Sequence, residues 1–187
     1  MQRIETSLPG VCELRPEVFE DARGFFMETY HQQKLKSLGI DGCFVQDNHS
    51  RSAKGTLRGL HYQLHHTQAK LCRVVEGEAF DVAVDIRFGS PTFGRWSAVR
   101  LSARSHNMIY IPPGFAHGFL ALTESVQLLY KCTDFYFRED ERGVAWNDPD
   151  IGIEWNVSAA PLVSEKDAKL PRLADVPREL LPRFDAK

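Results

Sequence analysis

Along this chain, apolar and polar positions alternate with a period of two more often than with the period of a helix. Phe80, Val82, Val84 and Ile86 alternate with Asp81, Ala83 and Asp85, which predicts a half-buried strand. Residues 96–101, 107–111 and 126–130 follow the same habit, and Arg73-Val74-Val75-Glu76 runs into Gly77. Turn signals separate these runs: Pro9-Gly10, Gly89-Ser90-Pro91, Pro112-Pro113-Gly114 and Asn147-Asp148-Pro149-Asp150. Many short strands with such spacing predict an all-β sandwich or barrel. Helix signals are few. His31 to Leu38 predicts two turns stopped by Gly39, and Ser164-Glu165-Lys166-Asp167 predicts a capping box opening a short helix. Pro171, Pro177 and Pro182 forbid one long helix in the tail, so the tail is expected to wrap around the β core.

Composition narrows the class. A chain of 187 residues fits one domain, 1–187, with a core of its own. A formal net charge of −2 without any Lys/Arg tract argues against a nucleic-acid partner. No apolar run is long enough to span a membrane. The first residues, Met1-Gln2-Arg3-Ile4-Glu5-Thr6, lack the apolar core of an export signal, so a cytoplasmic location is expected. Cys12, Cys43, Cys72 and Cys132 are far apart with no Cys-x-x-Cys, so free thiols are expected rather than a zinc ribbon or a redox pair. Seven His, twelve Phe, five Tyr and three Trp are where chemistry has to be sought.

Two segments carry it. The first is Gly55-Thr56-Leu57-Arg58-Gly59-Leu60-His61-Tyr62-Gln63, followed by Lys70 and Gly77; the second is Pro112-Pro113-Gly114-Phe115-Ala116-His117. Their outer spacing resembles the two motifs of the cupin superfamily, which implies a jelly-roll β-sandwich with a few short peripheral helices. The departures matter more than the matches. Where a metal cupin has its second His and its carboxylate, this chain has Gln63 and Lys70, and Ala121 stands where the second motif ends in Asn. A Lys ammonium has no lone pair to donate and repels a cation, so no metal is expected. His61 and Gln63 share one face of a strand, Lys70, Cys72 and Val74 share a face of the next, and Tyr130 shares one with Leu128 and Cys132. A His base, a Lys cation and a Tyr acid are the parts for proton abstraction beside a carbonyl, with the enolate held by the cation and a proton returned from the other side.

Longer matches identify a family. Residues 21–28 (Asp-Ala-Arg-Gly-Phe-Phe-Met-Glu), Gln46-Asp47-Asn48-His49-Ser50, the Gly55–Gln63 segment, Gln68-Ala69-Lys70-Leu71, residues 111–119, Tyr130-Lys131-Cys132-Thr133 and Ser164–Asp167 resemble the dTDP-4-dehydrorhamnose 3,5-epimerase family over roughly Gly10 to Leu170. The resemblance implies an isomerase that inverts C3 and C5 of dTDP-4-dehydro-6-deoxy-D-glucose without metal or redox cofactor. It implies His61 as base, Asp167 as its partner, Tyr130 as proton donor and Lys70 beside the C4 oxygen. For the nucleotide it nominates Arg23, Arg58 and Lys166 on the phosphates, with Gln46, Asn48, Glu28, His117 and Glu141 as polar positioning groups. Phe26 and Tyr136 are its candidates for the thymine, Tyr136 in the stacking position. It also implies a homodimer in which the segment holding Arg23 and Glu28 reaches toward the neighbouring subunit. Single-position 3- or 5-epimerases share the catalytic set and remain the alternative. Gln63, Lys70 and Ala121 stand against a metal-dependent cupin, and the joint presence of His61, Lys70, Tyr130 and Asp167 against a binding module without turnover.

Overall fold

The computed structural model describes residues 1–157 and 159–184. The strands, in chain order, are β1 (Gln2–Glu5), β2 (Cys12–Arg15), β3 (Val18–Asp21), β4 (Gly24–Met27), β5 (Gln46–Ala53), β6 (Leu57–Gln63) and β7 (Lys70–Glu76), then β8 (Glu78–Asp85), β9 (Trp96–Ser102), β10 (Met108–Ile111), β11 (Phe115–Ala121), β12 (Ser125–Cys132) and β13 (Glu141–Gly143). They form an antiparallel six-stranded sheet, β1-β2-β10-β7-β12-β5, and a five-stranded sheet, β13-β6-β11-β8-β9. The β3–β4 hairpin stands apart as a sheet of its own. Neighbours in the sheets are mostly distant in sequence, which is the jelly-roll signature. Among the described residues one short α-helix, α1 (Gln32–Ser37), is capped by the His31 side chain and ends before Gly39 at φ +77°, and the tail holds three single-turn 3-10 helices. Among the described residues no helix is long and apolar enough to cross a membrane.

The apolar side chains sort into three layers. Between the sheets lie Cys72 and Val74 of β7, Ala79 and Ala83 of β8, Ile109 and Ile111 of β10, Phe115 and Phe119 of β11, and Val126 and Leu128 of β12. Outside the five-stranded sheet, Leu57, Leu60, Tyr62, Val82, Val84 and Ile86 are covered by Ile151, Trp155, Leu173, Val176 and Leu181 from the chain's last forty residues or so. Outside the six-stranded sheet, Leu14, Leu71, Met108 and Tyr110 are covered by Leu35 and Ile40 around α1. All four cysteines are free thiols.

One expectation fails in an instructive way. Residues 80–86 read as a half-buried strand, yet from Asp81 to Ile86 both faces are covered. In fact Val82, Val84 and Ile86 face the tail, and Asp81 and Asp85, on the side of Ala83, are wholly buried. A buried carboxylate is tolerable only with partners. Asp85 takes its partners locally, from the Arg87 guanidinium and the Ser90 and Thr92 hydroxyls. Asp81 takes His117.

A second local feature sets up the site. His117 of β11 stands opposite His61 of β6, yet Phe119 stands opposite Arg58. Three steps along β6 therefore match two along β11, a bulge at Gly59–Leu60. Because of that extra residue, Leu57, Leu60 and Tyr62 all join the outer layer, while Arg58, His61 and Gln63 line the cavity described below. The bulge needs glycine. Gly59 has φ +118°, and a Cβ there would fall 2.6 Å from the Gly118 Cα and 2.7 Å from the His117 carbonyl oxygen.

Candidate active site

A cavity of about 980 Å³ opens at one end of the sandwich, between the inner faces of the two sheets. That is the upper end of the range for sites that enclose small molecules. β5 contributes Gln46 and Asn48, β6 contributes Arg58 and His61, β7 contributes Lys70, and β12 contributes Tyr130 and Cys132. Lys166 and Asp167 enter from a turn outside the sheets, and Tyr136 and Glu141 from the rim.

The centre of the site is an imidazole held by a carboxylate. The Nε2 of His61 lies 2.7 Å from Asp167 Oδ1. The other oxygen, Oδ2, accepts the Gly59 N–H of the bulge at 3.1 Å. The Asp167 backbone N–H donates to the Ser164 hydroxyl at 3.1 Å, which is half of the expected capping box. The other half is absent because the carboxylate is turned to His61 and Gly59, and the turn runs into a 3-10 helix of only three residues, Asp167–Lys169. Burial pushes the Asp167 carboxyl upward, but hydrogen bonding from His61, the His61 charge, Gly59 and Ser164 outweigh it and hold its pKa below the ordinary value. An ionised Asp167 keeps the proton on Nε2, which leaves the Nδ1 lone pair of His61 available.

Two further groups complete the chemistry. Tyr130 packs against the inner layer, and burial, with the neighbouring Cys132 and Cys72 adding to it, pushes its phenol up to about 12. It therefore stays protonated at neutral pH, with an O–H proton to give. Lys70 Nζ lies 5.5 Å from the Tyr130 ring centroid and donates to Gln68 Oε1 at 2.9 Å. His61, Tyr130 and Lys70 thus line one cavity, as their strand faces predict.

The binding candidates divide. Arg58 is steadied by its Nε bond to Ser52 Oγ at 3.0 Å, and Gln46 donates to Asn48 at 3.0 Å. Glu141 receives both the Tyr136 hydroxyl, at 2.8 Å, and the Lys166 ammonium. Burial raises the Glu141 carboxyl, but Lys166 and Tyr136 more than offset this and leave it ionised with its pKa lowered. His117 lines the cavity but is buried, with Nε2 at 2.8 Å from Asp81 Oδ1 and 3.8 Å from Cys72 Sγ. Asp81, wholly buried beside His117, is a residue that the alternating pattern does not assign to the site. Cys72, Asp81 and His117 have donor atoms within 4.8 Å of one another, the one group among the described residues with the make-up of a metal site. It is not the four-ligand cupin set. The short His117–Asp81 bond makes it a hydrogen-bonded pair as it stands.

Arg23, Phe26 and Glu28 are not in this cavity. They lie on or beside the β3–β4 hairpin, where Phe26 is 71% exposed. Arg23 is paired only with Asp21 two residues away, and Glu28 with Lys34. The hairpin pairs only with itself and places these three outside their own chain's cavity, in the segment that the family resemblance implies reaches toward a neighbouring subunit.

Residues 5–175 match the model of the family described as dTDP-4-dehydrorhamnose 3,5-epimerase. The chain belongs to the dTDP-4-dehydrorhamnose 3,5-epimerase family. A relative of that name in Pseudomonas aeruginosa is 52% identical over 94% of this chain and 97% of its own length. Another in Neisseria gonorrhoeae is 56% identical over 89% of this chain, which spans about half (51%) of that longer protein. Among solved structures, the dTDP-6-deoxy-D-glucose-3,5-epimerase of Legionella pneumophila, in complex with dTDP-4-keto-L-rhamnose, superposes with a TM-score of 0.97. It is 46% identical, with 99% of each chain covered. Epimerases of this family thus share the jelly-roll frame in which His61 and Asp167 meet.

Proposed function

We propose that the protein inverts C3 and C5 of dTDP-4-dehydro-6-deoxy-D-glucose to give dTDP-4-dehydro-L-rhamnose. The observation that carries the reading is the His61–Asp167 pair opening into a cavity shared with Lys70 and Tyr130. The C4 ketone acidifies the protons on both adjacent carbons. His61 Nδ1 removes one of them, and Asp167 stabilises the imidazolium that forms. The Lys70 ammonium takes the charge that develops on the C4 oxygen. Tyr130 then delivers its proton to the opposite face of the enolate, which inverts the carbon. Proton removal and return balance, so the reaction needs no oxidant.

Arg58 and Lys166 supply cationic partners for a diphosphate, with Arg offering the planar fork that suits phosphate oxygens. Tyr136 offers a flat face to the thymine. The protein works as a cytoplasmic homodimer in this reading. The exposed hairpin carrying Phe19, Phe25 and Phe26 then brings Arg23, Phe26 and Glu28 to the partner's cavity.

The test is isotopic. Incubated with this substrate in deuterated water, the protein is expected to place deuterium at both C3 and C5, mapped by proton NMR. Label at neither carbon overturns the assignment, and label at one alone makes the protein a single-position epimerase. Tyr130→Phe separates the two half-steps. Abstraction does not need the phenol, so the variant is expected to lose inversion by about 10²-fold or more while wash-in of solvent deuterium falls much less. Equal loss of both would remove Tyr130 from the donor role.

A further inference from the structure

Two buried glutamines that take no part in the proton transfers hold the rim of the cavity. Gln63 is 5% exposed and ends β6. Its Nε2 donates to the carbonyls of His66 at 2.8 Å and Phe135 at 2.9 Å, and its Oε1 accepts the Phe137 N–H at 2.6 Å. The last two bonds bracket Tyr136 on either side along the backbone. Gln68 ties the same loop from below: its Nε2 donates to the Asp134 carbonyl at 2.8 Å, and its Oε1 accepts the Lys70 ammonium at 2.9 Å.

The Tyr136 ring gains little from packing, being half exposed. Its position is set by its backbone, by the Gln46 side chain on its N–H at 2.8 Å, and by the Glu141 contact of its hydroxyl. A ring held in place before the ligand arrives saves the ordering cost that binding otherwise incurs. In a metal cupin the position of Gln63 would carry a ligand to the ion. Here its amide is spent entirely on backbone groups of two loops.

We infer that Gln63, seconded by Gln68, is a positioning residue for the nucleoside end of the site, acting through Tyr136. The inference rests on the nucleotide-sugar reading above. Only an amide can serve at this point. A carboxylate would face two carbonyl oxygens, and an apolar isostere would leave the Phe135 carbonyl and the Phe137 N–H without partners in a buried place. Through Gln68 the loop that places Tyr136 is bonded to Lys70, so the base-binding ring and the cation at the reacting centre share one hydrogen-bonded frame.

The experiment is a double-mutant cycle on the full chain, with dTDP binding followed by calorimetry and turnover by product NMR. Gln63→Met is expected to weaken dTDP about tenfold, a loss of the size carried by one stacked base, and to raise KM in step while kcat stays within about threefold. In a Tyr136→Ala background the same change is expected to cost nothing further, since its effect passes through that ring. Additive losses, unchanged dTDP affinity, or a fall in kcat with KM constant would each overturn the inference. Gln68→Met loosens the loop from its other tie and is read by the same binding cycle, so it carries the test should Gln63→Met fail to fold. Wild-type protein that did not bind dTDP would overturn the nucleotide-sugar reading itself, a result distinguishable from any of these.

Discussion

His61→Ala is expected to abolish deuterium uptake at both C3 and C5, while dTDP still binds. The His61 imidazole is held by an ionised carboxylate, whereas His117, the other imidazole lining the cavity, is buried against Asp81 and Cys72. Lys70 is a cation and Tyr130 is held protonated, so neither can replace His61. General-base removal costs about 10²–10⁴-fold in favourable comparisons, and loss at both carbons together follows if one base serves both. Uptake that persists at C5 but not C3, or the reverse, would require a second base. The fold should survive, because the Asp167 carboxylate keeps the Gly59 N–H and the Ser164 cap. Its acid sensitivity should change in a defined direction. In the native protein the lowered Asp167 pKa contributes stability that is complete above the unfolded value, about 3.9, and is lost as pH falls through the lower folded value. Without His61 the strongest lowering influences are gone and burial remains, so the acid limb of a stability profile should move to higher pH.

Much of this site is readable from strand periodicity. His61, Lys70 and Tyr130 occupy positions whose faces follow from simple alternation along β6, β7 and β12. Gln63 and Lys70 stand where a metal cupin has ligands, and a lysine there suits proton chemistry rather than a cation. What alternation hides is anything that depends on a change of register. Arg58 and His61 are three residues apart and would point to opposite faces of a regular strand; the bulge at Gly59–Leu60 turns both into the cavity. The positive φ of Gly59 and its crowding by Gly118 are the physical signature, and only a glycine in the right place announces it. Asp81 and Asp85 misled for a different reason. Alternation distinguishes two faces but not which of them is wet, and the tail that covers Val82 and Val84 lies some seventy to a hundred residues downstream. Arg23, Phe26 and Glu28 stand in a motif whose place no local pattern fixes, since the hairpin is paired only with itself; only the family resemblance directs it toward a neighbouring subunit.

Asp167→Asn is expected to be nearly as damaging as loss of the base, although it changes one atom. Asp167 uses both oxygens, Oδ1 for His61 Nε2 and Oδ2 for the Gly59 N–H. An asparagine has one oxygen and one NH₂ group. If its oxygen faces Gly59, the NH₂ faces His61 and demands a lone pair on Nε2. The imidazole proton then moves to Nδ1, the atom that has to accept the substrate proton. If its oxygen faces His61, the NH₂ is pressed against the Gly59 N–H, donor against donor, inside a bulge that Gly118 and His117 leave no room to relax. The first arrangement avoids the buried clash and is the one expected. A buried carboxylate that fixes a catalytic His tautomer is worth about 10⁴-fold when replaced by its amide, so kcat for both deuterium uptake and inversion should fall by about 10³–10⁴-fold while dTDP affinity changes little. Asp167→Glu keeps the charge but displaces it, and should recover part of the rate if tautomer control rather than exact orientation is what Asp167 supplies. NMR of the imidazole nitrogens decides between the two accounts. A proton on Nε2 in the wild type and on Nδ1 in Asp167→Asn supports tautomer control, whereas Nε2 protonated in both would assign the loss to geometry alone.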